Sequence, residues 1–273
     1  MYKRQLLITF PAIAHEVETT YDRVMKSGKI RCAYALRPPM LTKNLTDGKF
    51  SGIGYDITEE VAKRLSLDVE WVEEVGFGTI IESIKTGRVD MGCGVYWQNA
   101  ARARFIQFSK PFYYEIASVY KRADDPRAFS SYEELNRPEH AFSSIDGGTL
   151  TLITQRHFPK AKEKTLPELS PLSETIEDML AKKADFVVQP TLTAKDFLEK
   201  RPGTIVQVIE NQPIAYYPVV LFLPAEDIQF KTMIDAALTE IEYDGTLSKI
   251  IEKHGLENDV LKLQKPQKTG VKI

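Results

Sequence analysis

The stretch that decides the fold is Gly87-Arg-Val-Asp-Met-Gly-Cys-Gly-Val-Tyr-Trp-Gln-Asn-Ala-Ala-Arg-Ala-Arg-Phe-Ile-Gln-Phe-Ser-Lys-Pro-Phe112. Residues 89–95 read as a buried strand in which Gly92 and Gly94 permit close backbone approach. The strand ends in Val95, Tyr96 and Trp97, and a short helix over 99–105 follows, carrying Arg102 and Arg104 early. Pro111 stops regular structure. A strand feeding a helix at the carboxyl edge of an α/β sheet is where small ligands bind. A fixed cation there, beside free helix N–H groups, reads as a carboxylate receptor. The plainer alternative is a surface arginine on an ordinary helix, and spacing alone leaves the two even.

Working outward, residues 29–34 read as a first strand and 67–72 as a second. Between them a helix keeps Ile57, Val61, Ala62 and Leu65 on one face, with Asp56 placed to cap it. A helix over 79–85, closed by Gly87, returns the chain to the opening strand. Strands alternating with helices imply βαβ units and a largely parallel sheet. The pattern then repeats. Ile81-Glu-x-Ile84 before Asp90 is echoed by Ile176-Glu-x-Met179 before Asp185, and each aspartate opens an apolar strand. That repetition suggests two similar α/β lobes with a ligand between their strand ends. Residues 141–145 form a strand running into Asp146-Gly-Gly-Thr149, a turn whose N–H groups can hold an anion. Residues 215–223 are extended and return the chain to the first lobe, and 227–242 form an amphipathic helix.

Composition narrows the function. The chain has 273 residues and a net charge of −2, from 36 basic against 38 acidic residues, which points away from nucleic acid as a partner. No apolar run spans a bilayer. Residues 1–14, with a basic lead, a short apolar run and Ala12-x-Ala14, read as a secretory signal or its remnant, which places the protein outside the cytoplasm. Cys32 and Cys93 both fall in buried strands. Two small core residues is the favoured reading there, and a bridge between neighbouring strands or a metal site is the alternative. The four histidines lack metal-ligand spacing, and neither a Gly-x-Ser-x-Gly elbow nor a phosphate-cradling loop is present, so no cofactor or metal is expected.

Gly52-x-Gly-Tyr-Asp-Ile57, Lys63-Arg-Leu65, Gly87-Arg-Val-Asp90, Arg102, Phe108-Ser-x-Pro-Phe112 and Asp244-Gly-Thr-Leu-x-Lys-Ile250 occur in order. Together they resemble the family 3 extracellular solute-binding proteins, the polar-amino-acid receptors of ABC importers. The resemblance implies a type II periplasmic-binding-protein fold: two Rossmann-like lobes joined by two crossover segments. Lobe 1 would hold 27–115 and 220–257, lobe 2 would hold 118–213, and 258–273 would be a C-terminal tail. It also implies a monomeric, non-enzymatic receptor that closes on a small carboxylated solute and docks on a membrane permease.

By the same resemblance Arg102 matches the arginine that holds the ligand carboxylate, and Tyr55 matches a ligand-stacking aromatic. Gly148 and Thr149 match the second-lobe turn that contacts the carboxylate. Arg37 stands about where the family often has a stacking aromatic, and a loop arginine facing solvent is its alternative. Two positions depart from the family pattern. Trp97 replaces a small hydroxyl residue, and Gln189 replaces an aspartate that pairs the α-ammonium; an amide cannot pair a cation as a carboxylate does. Tyr34, Tyr55, Tyr96 and Trp97 would supply a partial aromatic cage for a cation, with core packing as the alternative. The enzymatic alternative is a cyclohexadienyl dehydratase on the same fold, with Glu115 as its general acid.

Overall fold

The computed structural model describes residues 18–257 and Val260; the signal-like segment 1–14 and the tail 258–273, apart from Val260, lie outside the described residues. Thr19 caps the first helix, α1 (Thr20–Ser27), through a reciprocal box with Asp22. β1 (Lys29–Tyr34) enters the sheet directly after it. A small hairpin, β2 (Thr42–Lys43) and β3 (Phe50–Ser51), follows. α2 (Ile53–Arg64), β4 (Asp68–Glu74), α3 (Ile80–Lys85) and β5 (Met91–Trp97) complete the first α/β unit. α2 begins three residues before Asp56, so that aspartate does not cap it as expected. Gly52 occupies the cap at φ +110°, where a Cβ would sit 2.5 Å from the Met40 carbonyl oxygen. Asp56 instead pairs with Lys253 at the end of the last helix and with His254, the residue that caps it.

After a 3-10 turn at Arg102–Arg104, β6 (Ile106–Phe108) leads to the long β7 (Tyr113–Arg122). The expected helix over 99–105 is only this single turn, because the chain must rejoin the sheet at Ile106. β8 (Ala141–Ile145), α4 (Thr149–His157), β9 (Lys162–Leu166), α5 (Leu172–Leu180) and β10 (Phe186–Pro190) form the second unit. α6 (Thr191–Lys200), β11 (Ile205–Gln207), the long β12 (Ala215–Pro224), α7 (Ile228–Tyr243) and α8 (Thr246–Lys253) finish the chain. Asp227 caps α7 by accepting from Phe230 N–H at 2.8 Å.

The sheet order is β4-β1-β5-β12-β7-β10-β8-β9. On either side of the central pair the same motif recurs: β4-β1-β5 and β9-β8-β10 each place the first strand of a parallel trio in the middle. The two crossovers, β7 and β12, are antiparallel to each other from Tyr113↔Val219 to Ala117↔Ala215 and join the halves. The internal echo seen in the sequence has a structural cause. Asp90 accepts from Arg31 N–H at 2.7 Å, and Asp185 accepts from Ala141 N–H at 2.9 Å. In both halves the aspartate also donates its own N–H to that partner's carbonyl. Each carboxylate thus fixes the start of the third strand against the first, and each is held by an arginine, Arg31 in one half and Arg127 in the other.

Cys32 in β1 and Cys93 in β5 form a disulfide with Cα atoms 5.4 Å apart, which corrects the favoured reading of two free core residues. The pairing of Cys32 with Met91 sets the two strands in register side by side, and only that adjacency brings the sulfurs together.

Candidate functional site

The parallel strands of both halves present their carboxyl ends to one cleft of about 430 Å³, a volume that includes space open to solvent. The first half contributes Arg37, Phe77, Val95, Trp97 and Arg102. The second contributes Ile145, Gly148, Thr149 and Leu150, with Leu172 and Pro190 beyond them.

Arg102 is the central charge. Its main-chain N–H bonds the Asn99 side-chain oxygen at 2.9 Å, which fixes the turn that carries it. The residue is only 6% exposed, and its guanidinium donates to the carbonyls of Phe77 at 2.7 Å and Gly147 at 3.3 Å. It lies 5.2 Å from the centroid of the Phe222 ring. Among the described residues no ion pair to Arg102 is found. Burial pushes its pKa down to about 10, with the Tyr96 hydroxyl and Glu168 opposing that fall, so the group is a desolvated cation at neutral pH. Across the cleft, Gly148 is the N-cap of α4 and Thr149 its first residue, so the free N–H groups of that helix open onto the site. Buried guanidinium and helix N-terminus thus turn positive potential toward the same cleft.

Arg37 is the second cation, and it is already neutralised. It is 5% exposed and grips Glu115, 1% exposed, through two bonds of 2.7 and 2.8 Å. Burial opposes its charge, yet the attraction and hydrogen bonds of Glu115 outweigh that and raise its pKa. The solvent-facing alternative for Arg37 is therefore incorrect. Trp97 Nε1 donates to the same carboxylate at 2.6 Å, and its ring stacks on Tyr217 of β12 at 4.7 Å and 4°. Glu115 thus has its oxygens occupied by two side chains that themselves line the cleft.

Arg37, Val95, Trp97, Arg102, Gly148 and Thr149, all anticipated from sequence, meet in this cleft. Four other anticipated residues do not line it. Tyr34 and Tyr55 pack with Phe50 and Trp71, and Lys43 sits 5.6 Å over the Tyr34 ring and 5.2 Å over the Phe50 ring. Tyr96 is buried, stacked on Phe222 at 4.5 Å, with its hydroxyl accepting from Ala35 N–H. Gln189 is fully buried and turns its amide to Leu172 O and Thr175 Oγ1 at 3.2 and 2.5 Å. The four aromatics expected to share a cage are therefore split: Tyr34 and Tyr55 belong to one cluster with Phe50 and Trp71, Tyr96 packs on Phe222, and Trp97 lines the cleft. Phe77, Ile145 and Pro190 were not anticipated. They end or follow strands, so the carboxyl-edge rule alone could have found them. Leu150 and Leu172 carried no such signal.

The halves touch across the cleft mouth. Asn99 Nδ2 donates to Thr149 Oγ1 at 3.1 Å. Glu168 accepts from the N–H groups of Gly78 and Thr79. Gly76 and Gly78 make that approach possible: a Cβ at Gly76 would sit 2.1 Å from Glu168 Cγ, and one at Gly78 would sit 2.7 Å from Glu168 Oε1.

Comparison with known proteins agrees with this fold. A histidine-binding protein of Campylobacter jejuni, described as probable, is 24% identical over 211 residues, covering 77% of this chain and 79% of its own. The cyclohexadienyl dehydratase of Pseudomonas aeruginosa is 22% identical over 240 residues, covering 88% of this chain and 87% of its own. The crystal structure of an ancestral amino acid-binding protein, a precursor of cyclohexadienyl dehydratase, superimposes with a TM-score of 0.75 at 24% identity. It covers 86% of this chain and 99% of its own, and at that identity it speaks for the fold, a type II periplasmic-binding-protein fold. The profile of the bacterial extracellular solute-binding proteins, family 3, matches residues 30–257, and the chain belongs to that family.

Proposed function

We propose that this protein is the extracytoplasmic receptor of an ABC importer and binds a small carboxylated solute in the cleft between its halves. The observation that carries the reading is Arg102, a buried guanidinium without a protein carboxylate, set opposite the N-terminus of α4. A ligand carboxylate would take a bidentate, charge-assisted grip from Arg102 and further bonds from the free N–H groups at the start of α4, from Thr149 on, while the Gly148 N–H stays with the Ile145 carbonyl. Val95, Trp97 and Arg37 would form the lobe 1 wall. Tyr34, Tyr55, Tyr96 and Gln189 would support the walls from behind. The division into lobe 1 (27–115 and 220–257) and lobe 2 (118–213) is supported by the sheet order, and β7 and β12 would be the hinge about which the lobes close. The closed form would then dock on a membrane permease as a monomer in the periplasm. Membership of an extracellular solute-binding family supports that location.

A dehydratase would need a free acid over its substrate. Glu115, the residue placed to act so, is engaged by Arg37 and Trp97 instead, which favours binding without turnover. The test is a thermal-shift and calorimetric screen of amino acids, keto acids and other carboxylates against wild type and Arg102→Met. A ligand should raise the melting temperature of wild type alone. Unchanged binding by Arg102→Met would refute the site, and consumption of prephenate or arogenate would refute the non-enzymatic reading.

A further inference from the structure

The family resemblance suggests an amino acid, but among the described residues the cleft lining offers no carboxylate to meet an ammonium. Its lining includes two arginines and no acidic side chain. Arg37 is matched by Glu115, and Arg102 is not matched. The Glu115 carboxylate is 1% exposed and screened from the cleft by the two side chains that hold it, Arg37 and Trp97. Two further acids stand nearby. Asp146 is exposed and bonds its own neighbour, Gly147 N–H, at 3.0 Å, and Glu168 is committed to Gly78 and Thr79 at the mouth. Neither lines the cleft.

Apart from Gly148 and Thr149, whose hydroxyl accepts from Asn99, the rest of the lining is apolar. Phe77, Val95, Ile145, Leu150, Leu172 and Pro190 surround the space, with the Trp97 ring beside them. At the end of β10 it is the Pro190 ring that faces the cleft, while the preceding Gln189 bonds into α5. The Gln189 side-chain oxygen is buried and unpartnered, but it is neutral and outside the lining. The spare polar atom of a cleft-lining side chain is a donor: Arg37 Nε is buried with no acceptor. A keto or hydroxyl oxygen satisfies such a donor, and an ammonium does not.

We infer that the physiological ligand is an apolar monocarboxylate lacking an α-ammonium, such as an aliphatic or aromatic carboxylic or 2-oxo acid. This rests on the carboxylate-receptor reading above and narrows its substrate class. The physical reason is desolvation. A zwitterion in this cleft would bury its ammonium among hydrocarbon and two guanidiniums, with no anion to replace the water it loses. A deaminated analogue keeps the carboxylate grip on Arg102 and buries only carbon and, in an oxo acid, one acceptor.

The test uses matched sets on the full chain by calorimetry: phenylpyruvate, hydrocinnamate and phenylalanine; ketoisocaproate, isocaproate and leucine; with arginine and lysine added. The expected result is that the deaminated member of at least one set binds at least about tenfold tighter than its amino acid. The same ligand should lose binding to Arg102→Met. An amino acid binding equally or more tightly, still dependent on Arg102, overturns the inference and leaves the receptor reading standing. If Glu168→Gln then abolished that amino-acid binding, the ammonium partner would be Glu168 at the mouth. Failure of every member to bind overturns both the class and the carboxylate receptor.

Discussion

The two cleft arginines should respond to the same substitution in opposite ways. Arg37→Met removes the cation paired with Glu115 among the described residues; Glu115 is 1% exposed and is left with Trp97 Nε1 as a donor. Breaking a buried pair from one side costs about 3–5 kcal/mol, because the remaining charge is desolvated and uncompensated. For a chain of this size each kcal/mol lowers the melting temperature by roughly 2–4 °C, so a fall of about 10 °C is expected. Arg102→Met is different. The drop of its pKa to about 10 corresponds to a buried-charge cost of roughly 3 kcal/mol. Its bonds to Phe77 O and Gly147 O, the second of them long, and its contact with Phe222 return about as much. Ligand-free stability should therefore change by less than about 1 kcal/mol, while carboxylate binding is lost. Urea unfolding and calorimetry measure the two quantities on the same samples. Arg37→Met with Glu115→Leu should recover most of the loss, since an apolar pair needs no compensation. Equal destabilisation by the two single variants, or no recovery in the double variant, would refute the assignment of Arg37 to structure and Arg102 to ligand.

Three further outcomes follow from other parts of the structure. Reducing the Cys32–Cys93 bridge, which spans 61 residues, should cost about 4 kcal/mol by loop entropy, read as a lower urea midpoint in dithiothreitol; an unchanged midpoint would mean the bridge contributes nothing. Glu168→Ala removes the acceptor that ties the second half to Gly78 and Thr79, and should weaken ligand affinity while leaving unfolding unchanged. Small-angle scattering should then show a larger radius for the ligand-free protein; an identical radius would argue that this contact does not hold the cleft shut. Asp125 is held down to about 2 by its hydrogen bonds from Arg127, so the folded form has the lower pKa. Its contribution is present above pH 4 and is lost as pH falls toward 2, so Arg127→Ala should flatten the acid limb of the stability profile in that window. A parallel acid limb in wild type and variant would sink that assignment.

The alternation of strands and helices, the repeated helix–Asp–strand unit and the long amphipathic α7 were legible in the sequence, because they depend on local periodicity and capping. β9 was not, since Lys162–Leu166 is a polar edge strand without an apolar face. The helix expected over 99–105 shrank to one turn because the return to the sheet at Ile106 overrode local propensity. At the site, the sequence by itself determined that an arginine and a glycine-threonine turn would stand at strand ends. What only the tertiary structure decided was charge state and company. The Cys32–Cys93 bridge, the Arg37–Glu115 pair 78 positions apart and the turning of Gln189 into α5 all depend on which strands become neighbours. Whether an arginine is neutralised or left to meet a ligand is a property of its three-dimensional surroundings, and those surroundings leave Arg102 alone in the cleft without a protein carboxylate among the described residues.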